Sequence, residues 1–225
     1  MVRPPSEGPA RASPERIRSG KTRTASSRAW LERQLADPFV AEARARGYRS
    51  RAAFKLAEID DRFHLIRKGA RIIDLGCAPG GWLQVALERG AGRVVGVDLL
   101  TVEPLPGATV LQGDFADDDS GTRLLAALGG APDIVLSDMA PNTTGHRRTD
   151  HLRIVALIET AAELAIAALR PGGVFLVKAF QGGETAEVTA RLKSAFSEVR
   201  HVKPRASRSE SSELYLLAMG RRADV

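Results

Sequence analysis

Lys55, Asp138, Lys178 and Glu213 lie far apart in the chain, yet each falls in a short segment that reads as a strand end or the edge of a ligand pocket. Two lysines and two carboxylates would form one charged cluster if an α/β fold brought those segments together. Lys178 ends an apolar run in Val177-Lys178-Ala179-Phe180-Gln181-Gly182. A lysine there is rarely structural, because burying its charge is costly without a partner. Asp138, in Ser137-Asp138-Met139-Ala140-Pro141-Asn142 at the end of the preceding strand, would be that partner. Such a pair can remove or orient the proton of a hydroxyl nucleophile; a purely structural ion pair is the competing reading. Lys55 and Glu213, each taken alone, read more readily as surface charges. Glu210 competes for the acidic place, and Glu213 is preferred because it abuts the apolar run Leu214–Ala218, which would hold it rigidly.

A ligand loop accompanies these residues. Ile72-Ile73-Asp74-Leu75-Gly76-Cys77-Ala78-Pro79-Gly80-Gly81-Trp82 reads as a buried strand, a glycine-rich turn and the start of a helix. Glycines there let the backbone approach a ligand closely. The spacing G-x-x-x-G-G departs from the dinucleotide fingerprint G-x-G-x-x-G, which disfavours NAD, and no Gly-Lys-Ser/Thr follows to make a P-loop. The run Asp74 to Gly81 resembles the first motif of S-adenosylmethionine-dependent methyltransferases, which makes Asp74, Gly76, Pro79, Gly80 and Gly81 candidate cofactor-binding residues. Asp98 ends the next strand, 22 residues after Gly76, where a carboxylate can accept from both ribose hydroxyls of an adenosyl group. Asp114, in Gln112-Gly113-Asp114-Phe115, ends the third strand and suits the adenine amino group. The competing reading of each is a loop aspartate that caps the next turn. Three acidic strand ends together, Asp98, Asp114 and Asp138, carry more weight than any one. Met139 after Asp138, with no aromatic following, argues against the Asn/Asp-Pro-Pro-aromatic signature of enzymes that methylate exocyclic base amines.

These residues can meet only if the intervening chain alternates strand and helix, and its pattern does so. Short β-branched runs at Arg71–Leu75, Arg93–Val97, Thr109–Leu111, Ile134–Leu136, Val174–Val177, Val199–Val202 and Leu214–Ala218 predict seven strands. Helical windows fall around Trp82–Glu88, Thr122–Leu128, Leu152–Leu169 and Thr185–Phe196. Upstream, Ala29–Arg46 has helical spacing broken at Pro38 with Asp37 as cap, and a further helix is expected from Ser50 as N-cap. The alternation implies an α/β fold, a mainly parallel seven-stranded sheet with helices on both faces. The loop Lys203–Ser212 has no room for a helix, so the last two strands should form an antiparallel hairpin. Ligands bind such sheets at the carboxyl ends of the strands.

At 225 residues the chain is one domain of ordinary size with an appendage. Residues 1–27, rich in Pro, Gly, Ser and Arg, read as a disordered basic tail, and residues 28–225 as a single domain that opens with helices to about residue 66. Residues 1–35 hold eight Arg or Lys against three Glu, much of a net charge of +6. That surplus favours a polyanionic partner, nucleic acid ahead of lipid. The tail reads equally as an RNA-contacting arm or a solvated extension. Cys77 is the only cysteine, so neither a disulfide framework nor a Cys-based zinc site can form within the chain. No window approaches a membrane span, and no apolar run marks a secretory signal. Pro4, Pro5, Pro9 and Pro14 spoil the amphipathic helix of a mitochondrial leader. A cytoplasmic protein is expected.

The segments Arg49–Leu56, Asp74–Trp82, Ser137–Asn142, Val177–Gly182 and Ser211-Ser212-Glu213-Leu214-Tyr215 together resemble the RrmJ/FtsJ family, also called RlmE, over roughly Ser27 to Gly220. The resemblance implies a Rossmann-like methyltransferase fold and S-adenosylmethionine as cofactor. It implies 2′-O-ribose methylation of a uridine in 23S rRNA, late in ribosome assembly. The family's Lys-Asp-Lys-Glu tetrad carries over to Lys55, Asp138, Lys178 and Glu213, and its cofactor contacts to Gly80, Trp82, Asp98, Asp114 and Asp138. Lys178 is the candidate base, for which its amine must be neutral; alternatively it orients the hydroxyl lone pair toward the methyl group. No metal is needed, because the sulfonium leaving group is already activated.

Arg49, Arg51, Arg205 and Arg208 flank the expected site and are candidate RNA-binding residues. The expected partner is 23S rRNA within the large ribosomal subunit or its precursor, with the protein a monomer. Rival readings are the same chemistry on tRNA or mitochondrial rRNA, a non-catalytic ribosome-assembly factor, and a small-molecule methyltransferase. The basic surplus and the complete tetrad speak against the last two.

Overall fold

The apolar runs become strands, and the central ones are buried on both faces, as an α/β sheet demands. In the computed structural model the described residues are 37–140, 146–181, 186–208 and 211–223. The expected tail, together with Pro141, Asn142, Gly182 and Glu210, lies outside them. Chain contacts separate a unit Met1–Asp37 from a unit Pro38–Val225, and the second carries every element named below. The strands are β1 (Arg71–Leu75), β2 (Arg93–Asp98), β3 (Ala108–Gln112), β4 (Ile134–Ser137), β5 (Val174–Phe180), β6 (Phe196–Val202) and β7 (Glu213–Arg221). The helices are α1 (Pro38–Ala45), α2 (Ala53–Phe63), α3 (Gly81–Glu88), α4 (Ser120–Leu128), α5 (Arg147–Ala168) and α6 (Ala186–Ala195).

One sheet runs β3-β2-β1-β4-β5-β7-β6. β1 to β5 are parallel, and β7 inserts antiparallel between β5 and β6. The expected hairpin is therefore present, with β7 on its inner side. Alternation of side chains assigns the two faces. Ile73, Leu75, Val135, Phe175 and Val177 pack with Leu124, Ile158, Ala161 and Leu192 of α4, α5 and α6. Ile72, Ile134, Leu136, Leu176 and Leu217 pack with Leu56, Ile59, Leu83 and Val85 of α2 and α3. Strand order reverses between β1 and β4, so the switch point opens at their carboxyl ends.

Two local expectations change. Ser50 does not cap the helix: Ala53 N–H bonds to Ser50 O (3.2 Å) and Lys55 N–H to Ala52 O (3.0 Å), so a tight turn precedes α2. The fifth and last strands also run longer than their β-branched cores. β5 continues through Phe180, placing Lys178 inside the strand, and β7 begins at Glu213. Pairing between β5 and β7 sustains both extensions against weaker local preference. Among the described residues, no helix is long and apolar enough to cross a membrane.

Candidate active site

Register brings the catalytic candidates together. Ser137 pairs with Val177, so Asp138 and Lys178 follow at adjacent carboxyl ends. In the antiparallel pairing Lys178 faces Tyr215, and Phe180 faces Glu213. Lys55, in the first turn of α2, reaches into the same space. Its ammonium lies 2.8 Å from Glu213 Oε1 and 3.8 Å from Asp138 Oδ1. Lys178 Nζ lies 3.2 Å from Asp138 Oδ1 and donates to the Asp138 carbonyl at 2.5 Å. Both lysines are 8% exposed, so the two carboxylates supply the compensation that burial requires.

Other side chains hold this network. Tyr215, fully buried, donates from its hydroxyl to Asp138 Oδ1 at 2.6 Å. Burial first, and then the Asp138 and Glu213 charges, push its phenol well above the ordinary range, so it stays a donor. Ser207 Oγ donates to Glu213 Oε1 at 2.7 Å. Burial alone would raise the Glu213 carboxyl; the Lys55 ammonium, the hydrogen bonds from Lys55 and Ser207, and the Lys178 charge outweigh it and hold that carboxyl below its usual range. Trp82 packs on the Tyr215 ring at 5.8 Å and donates its indole N–H to Ala52 O at 2.8 Å.

A cavity of about 420 Å³ opens beside Asp138, within the usual size of ligand pockets. Gly76, Asp98, Asp114, Asp138 and Met139 line it, and among the described residues no basic side chain does. Three carboxylates suit a cationic or hydroxyl-bearing ligand and repel a pyrophosphate. Asp98 accepts from the N–H groups of Ala78 and Leu100, both at 2.8 Å, and Asp114 from Ala116 N–H at 2.9 Å. The turn-capping bonds of the competing reading are thus present, and they fix carboxylates that still face the cavity. Gly76 is left-handed (φ 74°), and a Cβ there would stand 2.1 Å from Met139 Cγ, so the loop closes on Met139 only with glycine. Asp74, Pro79, Gly80, Gly81 and Trp82 do not line this cavity. Asp74 is 2% exposed, and its Oδ2 has no hydrogen-bond partner among the described residues. Burial, then the Asp138 and Asp98 charges, raise its carboxyl well above the ordinary range.

Comparison with known proteins decides the family. The sequence model of the FtsJ-like methyltransferases matches residues 48–221. The chain belongs to the FtsJ-like methyltransferase family. It is 60% identical over 222 residues to the ribosomal RNA large subunit methyltransferase E of Caulobacter vibrioides, covering 98% of each chain. With the protein of that name from Granulibacter bethesdensis it shares 59% identity over 204 residues, 91% of this chain and 89% of the other. A structure described as a ribosomal RNA methyltransferase from Plasmodium falciparum superposes with a TM-score of 0.70 at 31% identity, covering 77% of this chain and 98% of that one. A structure described as a hemolysin from Streptococcus thermophilus, at 16% identity and a TM-score of 0.59, covers 78% of this chain and 68% of its own and shares the fold alone.

In this FtsJ-like methyltransferase, two of the four candidate RNA arginines have other employment. Arg49 donates to the carbonyls of Pro79 (3.2 Å), Glu103 (2.6 Å) and Pro104 (2.8 Å), clamping the glycine-rich loop to the segment after β2. Gly80 (φ 108°) leaves room for it, since a Cβ there would lie 2.9 Å from Arg49 Nη1. Arg51 donates to the Ala206 carbonyl and lies 5.7 Å from the Phe39 ring. Arg205 is exposed, and Arg208 is half-buried. The sequence reading missed Tyr215, Ser207 and Glu58, whose carboxylate accepts from Arg205 N–H (2.9 Å) and Ala206 N–H (3.2 Å). Tyr215 had a usable signal: two residues after Glu213 on one strand, it shares that side chain's face. Ser207 and Glu58 had none.

Proposed function

We propose that this FtsJ-like methyltransferase uses S-adenosylmethionine to methylate the ribose 2′-oxygen of a uridine in 23S rRNA, acting as a monomer in the cytoplasm on the large subunit or its late precursor. The observation that carries the reading is one Lys55–Asp138–Lys178–Glu213 network bordering a cavity lined by three carboxylates. That cavity fits the cofactor: Asp98 and Asp114 offer acceptors for ribose hydroxyls and an adenine amine, and Asp138 lies beside both cavity and lysines. When bound, the cofactor supplies a methyl group on a cationic sulfur. The relatives named large-subunit rRNA methyltransferases supply the substrate class.

Lys178 Nζ is the group that takes, or orients, the proton of the 2′-hydroxyl. Asp138 holds that amine through Oδ1 and its carbonyl. Lys55 and Glu213 complete the charge balance and position the ribose, with the oxygen held in line for displacement. The exposed Arg205 is the cation best placed for phosphate contact, with Arg208 beside it, while Arg49 and Arg51 support the loops. The test is transfer of labelled methyl from S-adenosylmethionine to isolated large subunits, free 23S rRNA and tRNA, followed by mapping of 2′-O-methyl groups. One new 2′-O-methyluridine in 23S rRNA is expected. Methylation confined to tRNA, or to a base, would overturn the reading.

A further inference from the structure

A second cavity, of about 400 Å³, opens at the opposite end of the central strands from the network. Its floor is Ala70, Ile134, Val174 and Met219, at the amino ends of β1, β4 and β5 and the exit of β7. Val174 precedes Lys178 by four strand residues, about 13 Å at ~3.3 Å per residue, so the two sites are separate. His64, Arg67, Lys68 and Arg170 line it, with Asp133 the one acidic residue. Asp133 is neutralised in place: Oδ1 pairs with Arg170 Nε, and Oδ2 accepts Arg71 N–H at 2.7 Å. Arg67 and Lys68 are exposed and form no ion pair among the described residues. The rim is therefore net positive with two cations uncommitted.

His64 adds an independent sign. It is the one non-glycine residue with positive φ (51°) among the described residues, and it caps α2 in the left-handed conformation. Glycine would serve there without strain. The histidine instead sets an imidazole on the cavity rim, and strained backbone of this kind points toward function.

We propose that this cavity grips the phosphate backbone of an rRNA segment away from the methylated nucleotide, resting on the RNA substrate proposed above. A small free anion fits less well. The N–H groups of Gly69, Ala70, Gly172, Gly173 and Val174 all donate to backbone carbonyls, so these amides are not open to cradle a phosphate. Long cationic side chains projecting from an exposed rim are how a phosphodiester chain is held from outside.

The experiment compares the full chain with its Arg67→Ala/Lys68→Ala variant. Affinity for 23S rRNA is measured across a salt series, methyl transfer to large subunits at saturating substrate, and S-adenosylmethionine affinity by calorimetry. The expected result is a loss of RNA affinity of about tenfold at low salt. The slope of log K against log salt should become shallower by roughly 1.5–2, two phosphate contacts' worth. Saturated turnover and cofactor affinity should stay within about twofold, since neither residue is near the network. Unchanged affinity and slope would overturn the proposal. So would inorganic phosphate binding that the variant abolishes while its RNA slope holds, which would mark a small-anion site. Because the RNA measurement needs no catalysis, an altered slope in a protein that methylates no ribose would sink the proposed function and spare this site.

Discussion

The Tyr215 hydroxyl donates at 2.6 Å to Asp138 Oδ1, the same oxygen that faces the Lys178 ammonium at 3.2 Å. One carboxylate oxygen thus carries a neutral donor and a close cation, with the Lys55 ammonium farther off at 3.8 Å. The tyrosine fixes the direction in which Asp138 presents itself to Lys178. Tyr215→Phe keeps the ring packing on Trp82 and removes that donor. Turnover should fall about five- to twentyfold, the equivalent of ~1–2 kcal/mol, with cofactor affinity nearly unchanged by calorimetry. Unaltered turnover would show that the two lysines orient Asp138 without the tyrosine.

Lys178→Ala removes the amine proposed to take or orient the 2′-hydroxyl proton. Methyl transfer should drop by at least ~10²-fold, the usual weight of a positioned proton-transfer group, while the cofactor still binds. Asp138→Ala should harm both, because Asp138 lines the cavity and holds the lysine. Single-turnover methylation beside calorimetric titration separates the two variants.

Lys55 and Glu213 form a largely buried pair at 2.8 Å, so their truncations should not be additive. Either alanine variant leaves the other charge uncompensated, and the double variant should lose less activity than the product of the single losses. The Glu213 carboxyl sits below its ordinary value of 4.5 in the folded protein. Its stabilising contribution is therefore complete above that value and is lost as pH falls through the lowered folded one. The difference in melting temperature between the native chain and Glu213→Gln should shrink on acidification below 4.5.

Asp74 carries the opposite sign. Its carboxyl is raised well above 3.8 by burial and by Asp138 and Asp98. The folded protein keeps a proton that the unfolded chain releases, so this group lowers stability progressively as pH rises from 3.8 toward the folded value. Asp74→Asn does not titrate and should melt at least ~2 °C higher at neutral pH. The gain should vanish near pH 3.8. A gain independent of pH would mean that packing, and not ionisation, sets the difference.

Much of this was legible in order along the chain. The strands Arg71–Leu75, Arg93–Asp98 and Ile134–Ser137 appear as β-branched runs because they are buried on both faces, and the glycine-rich loop announces its turn through residues that few other conformations need. Asp98, Asp114 and Asp138 could be placed at the cavity because they terminate such strands. Arg49 and Arg51 could not be read so easily. A surface arginine bound to carbonyls and one bound to phosphate have the same local sequence, and only the position of Pro79, Glu103 and Ala206 in space separates them.

The amino-acid sequence by itself determined the sheet, the loop and the pairing of Asp138 with Lys178, since all three follow from local periodicity and from the order of parallel strands. Tertiary structure alone decided the rest of the network. Lys55 arrives on a helix that precedes the sheet, Glu213 and Tyr215 on a strand that reverses direction, and Ser207 on a loop pinned by Glu58. Those contacts depend on an antiparallel register spanning tens of residues of chain, which no window of neighbouring residues encodes.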